Sequence, residues 1–510
     1  MKKIYLFLAL TAGLLVSCDM DKEPYDQIPE GEALQTPADF QAMRVGLYSA
    51  LRSSVGGNTF YTTPEIQCDG FHALIGNSNT FGDMYRWDFT PQNSSIDGVY
   101  GNYQATIARS NFLIDGYNKC NMSDKSVFTD ADMVNVNAAK GDAFFMRAYC
   151  IFMLSQYYCA DYDASTANNA NTGVSYRLDY APSASASTYP ARKTLAETMA
   201  QVTEDLDSAA VYVSEANAPL SAYVTPDAIT ALRARQALAM DDYANAAKYA
   251  EQLINSGTYA LAEGVSELKS MWAEDAGMET IFQLAIANVS ELAAATGDVY
   301  FQPVDGNPDF VPTKTLYDLY DSKDYRKQVY FNQIDVTTTT GTSGRVYAFN
   351  KFPLNTRLYQ QYQNTNSRSV IEPKVFRIAE MYLIAAEANA QLAIKNDDGA
   401  ALAKAAQYLN ELESKRIAGY QNRSFTKETI MTEVRNERER EMVGEGSRLF
   451  DLKRWHLGMT RGEAQQEDLL LLPGSTTTEL SRLASDPRFT WPIPKHEMDV
   501  NKKLVQNPGY

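Results

Sequence analysis

Two Ala-rich helical hairpins, one over residues 227–256 and one over residues 372–415, constrain the fold of this chain more than any other feature. In the first, Pro226 follows Thr225 at a position suited to N1, and a helical period runs from Asp227 to Met240. Asp241-Asp242 then makes a turn into a second helix, Tyr243 to Ser256, with Gly257 placed as its C′ residue. Ala231, Ala234 and Ala237 on one helix, and Ala246, Ala247 and Ala250 on the other, supply small residues where two helices must approach closely. The second hairpin repeats the design from Glu372 to Ala393 and from Gly399 to Lys415, around the polar turn Asn396-Asp397-Asp398-Gly399. Two further helices are predicted, over Thr426 to Gly444 and over Ala138 to Tyr158. In the latter, Ala139, Ala143, Met146, Cys150, Leu154 and Tyr158 recur on steps of three and four.

Each hairpin reads as a tetratricopeptide-type unit, but their separation rules out a continuous solenoid and implies a helical scaffold interrupted by large insertions. The insertions fall at about 54–98, 163–190 and 286–370; Asp163 to Tyr189 is an Ala/Ser/Asn/Thr loop, and the first and last are rich in Gly, Asn, Asp, Thr and aromatics. They carry only short strand-like runs such as Arg345 to Phe352, with a polar linker or hairpin tip over Thr337 to Gly344. Long ordered loops on a rigid scaffold usually carry function. The expected fold is therefore mainly α, a tetratricopeptide-like helical hairpin scaffold whose loop and short-strand insertions form a ligand platform. With 510 residues and 45% apolar side chains the chain has ample core, which excludes disorder. A net charge of −17 with no basic stripe argues against nucleic acid as a partner. Its 32 Tyr, 21 Phe and 4 Trp are mostly expected in the core, yet Tyr also offers a flat face with a polar tip to a ligand.

The amino terminus reads as an address. Lys2 and Lys3 precede an apolar run from Ile4 to Val16, too short to span a bilayer as a mature helix. Leu15-Val16-Ser17-Cys18 then resembles a bacterial lipobox, which implies a signal peptide over residues 1–17 and lipid attachment at Cys18. Several acyl chains, at about 0.8 kcal/mol per buried CH₂, anchor a protein stably where one is marginal. The following Asp19, Asp21 and Glu23 resemble an acidic export tag for the cell exterior. Residues 18–510 are read as a single domain. Cys68, Cys120, Cys150 and Cys159 are too few for a disulfide scaffold, and spacing leaves their three pairings open.

Catalytic templates are absent from the sequence. Its histidines, His72, His456 and His496, form no His-Glu-x-x-His, and there is neither a phosphate-binding Gly-x-x-x-x-Gly-Lys nor a Gly-x-Ser-x-Gly. Cys68 and His72 lie four apart but belong to no larger ligand cluster, so a structural role is expected, with no metal or cofactor. Gly444-Glu445-Gly446 reads as a helix end. The run Glu433 to Glu441 alternates in sign, and pairs such as Arg435 with Glu439 and Glu437 with Arg440 describe a helix knitted by its own side chains. Glu445, Arg448, Asp451, Arg454 and Trp455 extend that run toward a partly buried network. A glycoside hydrolase needs only a pair of carboxylates, which sequence alone does not exclude.

The stretch Arg438 to Trp455, with Arg438-Glu439-Arg440-Glu441 leading to Gly446-Ser447-Arg448-Leu449-Phe450-Asp451, resembles the C-terminal signature of the SusD/RagB family of outer-membrane nutrient-binding lipoproteins. Gly141 to Tyr149, Phe376 to Ala388, Trp491 to Pro494 and Gln506 to Tyr510 agree with it in the same order. The resemblance implies a non-enzymatic lid on a SusC-like TonB-dependent outer-membrane transporter, lipid-anchored at the cell surface. It implies capture of a glycan or oligosaccharide, or in some members of a peptide or other nutrient. Ligand residues are picked by region and chemistry: Tyr85, Trp87 and Tyr300 as flat faces, with Asp69, Arg86 and Asp88 as partners for hydroxyls. A peptide binder needs a deeper cleft lined by backbone-bonding groups, and a purely structural tetratricopeptide adaptor needs no loops at all.

Overall fold

The structure, a computed structural model, describes residues 33–510 apart from 56–57, 183–184, 290, 292–306, 354, 364–371 and 472–479. The chain is mainly helical, as its periodicity predicts. Helices α1 (Pro37–Val55), α2 (Asn58–Ile66), α3 (Gly82–Arg86), α4 (Ser94–Lys119), α5 (Asp130–Tyr158) and α6 (Leu195–Tyr212) build the first half, with strand β1 (Phe71–Ala73) after α2. Then follow α7 (Pro226–Ala239), α8 (Tyr243–Asn255), α9 (Gly264–Ala273) and β2 (Thr280–Gln283). The large insertion contributes β3 (Phe310–Pro312), α10 (Lys314–Asp318), α11 (Tyr325–Tyr330), β4 (Phe331–Thr337), β5 (Ser343–Phe349) and α12 (Thr356–Tyr362). The chain returns through β6 (Lys374–Arg377), α13 (Ile378–Asn396), α14 (Gly399–Arg416), α15 (Ile430–Met442) and α16 (Arg448–Arg454). It ends with β7 (Met459–Thr460), β8 (Ser481–Arg482) and α17 (Lys495–Val500).

Caps set the helix ends. Thr129 and Asp132 form a reciprocal capping box that starts α5 well before the predicted Ala138, and Thr194 with Glu197 does the same for α6. Thr225 caps α7 with Pro226 at N1, and Asp242 and Asp398 cap α8 and α14. The two hairpins stack directly, α8 against α13, despite the insertion between them in sequence. Helices α1, α4, α5 and α6 pack beside one another and share with the hairpins one apolar core that also takes in Trp491, Ile493 and Leu504.

The insertions are more structured than predicted. Residues 54–98 include α2 and α3, and 286–370 includes the antiparallel β4–β5 hairpin, whose tip falls on the predicted Thr337 to Gly344 segment. The charge-dense run of α15 also differs from expectation. Glu437 does pair with Arg440 within the helix (2.7 Å), but most partners come from other elements. Glu441 accepts from Arg326 of α11, Arg377 of β6 and Arg416 of α14 at 2.9 Å each, and all four side chains are buried. Among the described residues no helix is long and apolar enough to cross a membrane.

Candidate functional site

Strand β1 pairs antiparallel with β3 in the register Phe71↔Pro312, His72↔Val311 and Ala73↔Phe310, so the early loop and the late insertion share one small sheet. The Leu74 amide donates to the Asp309 carbonyl (2.9 Å), and both segments therefore leave the sheet at the same end. The β4–β5 tip closes on them: Asn307 Nδ2 donates to the Thr337 carbonyl (2.6 Å), and a Cβ on Gly76 would lie 2.8 Å from Thr339 Cγ2. Gly76 has φ +105°, so glycine is required there both by conformation and by the approach of the tip.

The loop that follows is conformationally strained. Ser78, Asn79, Phe81 and Trp87 all have φ between 48° and 61°, a left-handed backbone costly for residues with a Cβ. C-terminal arginines grip its carbonyls. Arg461 Nη2 donates to Ile66 O (2.8 Å) and Tyr85 O (3.1 Å), Arg482 Nη2 to Arg86 O (3.1 Å), and Arg488 Nη1 to Trp87 O (2.6 Å). A backbone pinned this way presents its side chains without paying ordering entropy when a ligand arrives.

The picked residues part company here. Trp87 is fully buried, its indole N–H donating to Gln67 O (2.5 Å) and its ring against Phe489 (4.8 Å between centroids). Tyr85 is also fully buried, under the Arg461 guanidinium (3.8 Å) and beside Phe310. Neither ring offers a face to a ligand, because the left-handed backbone at Phe81 and Trp87 turns both inward. Asp69 is half-buried, with both oxygens held by Arg448 (2.8 and 2.7 Å). Asp88 is exposed, and Arg86 beside it is half-buried. Arg86 donates to Asn79 Oδ1 (2.7 Å), Asp83 Oδ1 (3.3 Å) and Asp88 Oδ2 (3.2 Å), fixing a fan of planar polar groups in which Asn79, Asp83 and Asp88 are exposed. Tyr300 and Cys18 lie outside the described residues.

Asn79 and Asp83 were missed by sequence reasoning, although the turn-forming Asn77-Ser78-Asn79 was the signal for them. Asp309, next to the loop, has its carboxyl raised by burial, partly offset by a hydrogen bond from Thr80. Phe81 is half-buried at the same end. A second aromatic feature lies outside this sheet: Tyr317 of α10 and Tyr347 of β5 in the β4–β5 hairpin stack at 3.9 Å between centroids, 14° from parallel, and both are half-buried. Tyr347 sits on the outward alternation of β5, which sequence alone shows only once the strand's faces are known.

His72 is buried with Nε2 2.8 Å from the Gly462 carbonyl, and burial pulls its pKa down to about 4. The structural role expected for Cys68 and His72 fits these contacts. Glu413, Glu433 and Glu437 come close enough to hold a cation, but Arg326, Arg423 and Arg440 already fill the space between them. What the loop end provides is hydrogen-bonding and stacking capacity at a prearranged surface.

Comparison with known proteins follows the same division. A family model described as the SusD family matches residues 320–510, and one described as "Starch-binding associating with outer membrane" matches residues 20–238. SusD-like protein P2 of Formosa agariphila is 24% identical over 562 aligned positions, covering 100% of both chains. A crystal structure of a SusD superfamily protein from Bacteroides thetaiotaomicron VPI-5482 superposes with a TM-score of 0.75 at 23% identity, covering 93% of this chain and 100% of that chain. A Bacteroides vulgatus ATCC 8482 structure named for sugar binding gives 0.72 at 25% identity, covering 94% and 99% of the two chains.

Proposed function

The chain belongs to the SusD/RagB family, and from that premise we propose that it captures glycans at the cell surface and passes oligosaccharides to a SusC-like TonB-dependent transporter. It is a binding protein and not an enzyme. Association with the outer membrane agrees with the matching family description, and the lipid anchor at Cys18 supplies the means. The observation that carries the glycan reading is the surface fan of Asn79, Asp83, Arg86 and Asp88, mounted on a strained loop that three arginines pin from below. Planar donors and acceptors of fixed orientation suit sugar hydroxyls, and the nearby half-buried Phe81 adds apolar ring surface for CH faces. A shallow surface of this kind binds with a Kd on the order of micromolar to millimolar.

Affinity electrophoresis through gels containing host and plant polysaccharides tests the reading. Retardation by one glycan, lost in Arg86→Ala at unchanged melting temperature, is the expected result. Failure of every polysaccharide to retard the protein favours a peptide or other nutrient as cargo, and release of reducing ends from any of them sinks the non-enzymatic reading.

A further inference from the structure

A groove of about 410 Å³ lies between α4, the segments 175–182 and 189–190, and α17, sharing no residue with the surface around Arg86. That size falls within the range of small-ligand clefts, about 300–1,000 Å³. Its floor is the buried Tyr100 and Tyr176, and its rim carries the half-buried Tyr180 and Tyr189. Tyr180 is braced edge-on by Phe112 (4.8 Å), and its amide donates to Asp115 (2.8 Å), so its ring is held in place rather than free to collapse inward. Beside it Arg177 and Asp179 form a flat two-bond pair, Nε to Oδ1 at 3.1 Å and Nη2 to Oδ2 at 2.8 Å. His496 and Glu497 of α17 face the groove from the other side.

The loop's carbonyls are already used. Gln104 Nε2 donates to Ser175 O (2.8 Å), Asn111 Nδ2 to Arg177 O (3.0 Å), Asn501 Nδ2 to Pro190 O (2.8 Å) and Lys503 Nζ to Tyr189 O (2.8 Å). These carbonyls leave little backbone for an extended peptide to pair with, so a peptide is disfavoured. The Arg177–Asp179 pair is neutral as a unit, and Glu497 adds one carboxylate whose charge burial disfavours. Ring faces and a planar polar pair together describe a carbohydrate cleft.

We propose that this groove is a second saccharide site, taking a short neutral oligosaccharide whose CH faces lie on Tyr180 and Tyr189 and whose hydroxyls meet Arg177 and Asp179. The proposal rests on the glycan reading above and adds to it: two separate sites on one chain hold a polysaccharide by avidity, which raises retention without new contacts at either site.

Titration calorimetry with maltohexaose, cellohexaose, xylohexaose and mannohexaose, on the intact protein, tests it. The protein should take up about two equivalents of one hexasaccharide, falling to about one in Tyr180→Ala/Tyr189→Ala and to about one in Arg86→Ala. Retention by the matching polysaccharide should weaken about tenfold in the tyrosine variant. Tyr180→Phe/Tyr189→Phe, which keeps the rings, should bind like the parent, and equal loss in both tyrosine variants overturns the stacking role. If the alanine pair leaves stoichiometry and retention unchanged while Arg86→Ala abolishes them, the groove is not a site and the primary reading stands. If no hexasaccharide binds the parent protein, both fall together.

Discussion

Arg86 and Trp87 are adjacent in sequence and opposite in fate, one spread over the surface and the other sealed beneath it. Trp87→Ala should therefore cost about 3–5 kcal/mol of stability by urea denaturation, the range for removing a large buried ring. Arg86→Ala should stay within about 1 kcal/mol while losing glycan retardation. The sequence marked this aromatic-rich loop as a candidate ligand region, but which of its rings pointed outward was not legible. That choice is made by left-handed φ values at Phe81 and Trp87 and by Arg461, Arg482 and Arg488, contributed from the far end of the chain. A second residue-scale test lies under the same loop. Glu65 is buried and accepts the amides of Gly446 (2.9 Å) and Ser447 (3.2 Å). Burial pushes its pKa up to about 7, against the pull of the Gly444 amide, Lys351 and Arg448. An acid raised on folding binds more protons folded than unfolded, so its contribution to stability falls as pH rises from about 4.5 to about 7. Glu65→Gln retains an acceptor oxygen and removes the titration. Its stability relative to the parent should rise between pH 4 and pH 8 by on the order of 2–3 kcal/mol, and a flat difference in paired urea melts would show that the carboxyl titrates normally.

Among the elements, the hairpins α7–α8 and α13–α14 were the most readable, because their caps, small residues and turns agree locally. Helices α1, α4 and α6 were not singled out from the sequence. In α4 the apolar positions are diluted by Asn, Gly and Ser, so tertiary packing rather than a clean stripe decides the helix. The reading of Gly444-Glu445-Gly446 as a helix end is matched by φ values of 79° and 75° at the two glycines. Gly257, which ends the first hairpin, is also left-handed at φ 70°, but an added Cβ there meets nothing within 4 Å. A Cβ on Gly444 would lie 2.6 Å from the Phe349 ring. Gly257→Ala should thus cost about 1 kcal/mol from backbone strain alone, and Gly444→Ala about 1–3 kcal/mol more, because Phe349 must also move. Equal losses in thermal melts would show that the β5 ring yields freely. The charge run of α15 misled for a related reason: spacing reveals i to i+4 neighbours, whereas Glu441 is held ionised by Arg416, Arg377 and Arg326 from other elements, against the burial that opposes its charge. Glu441→Ala leaves three buried guanidinium groups short of a partner and should cost about 3–5 kcal/mol.

Across the whole molecule, the C-terminal residues act as a strap that no local pattern in the sequence announces. Arg461, Arg482 and Arg488 pin the early loop, while Asn501 and Lys503 pin the loop beside the tyrosine groove. In the second clamp, buried Arg192 bridges the Gly173 carbonyl (2.8 Å), the Val505 carbonyl (3.0 Å) and Asn507 Oδ1 (2.7 Å). Lys503 adds contacts to the carbonyls of Ser187 and Tyr189, both at 2.8 Å. The scaffold depends less on this segment, which gives the shared core Leu504 and holds the Tyr158 carbonyl through Asn507 Nδ2 (2.8 Å), since the α4–α5, α7–α8 and α13–α14 pairs pack on one another directly. Removing residues 501–510 should therefore release one loop selectively. Trypsin should cut the truncated protein at Arg177 or Lys193, sites protected in the parent. Arg86 should stay protected, because Arg482 and Arg488 still hold its own carbonyl and that of Trp87. Far-ultraviolet dichroism should keep its helical signal. Cutting at Arg86 at the same rate, or loss of that signal, would show that the strap stabilises the molecule as one unit and that the two loops are not independently held.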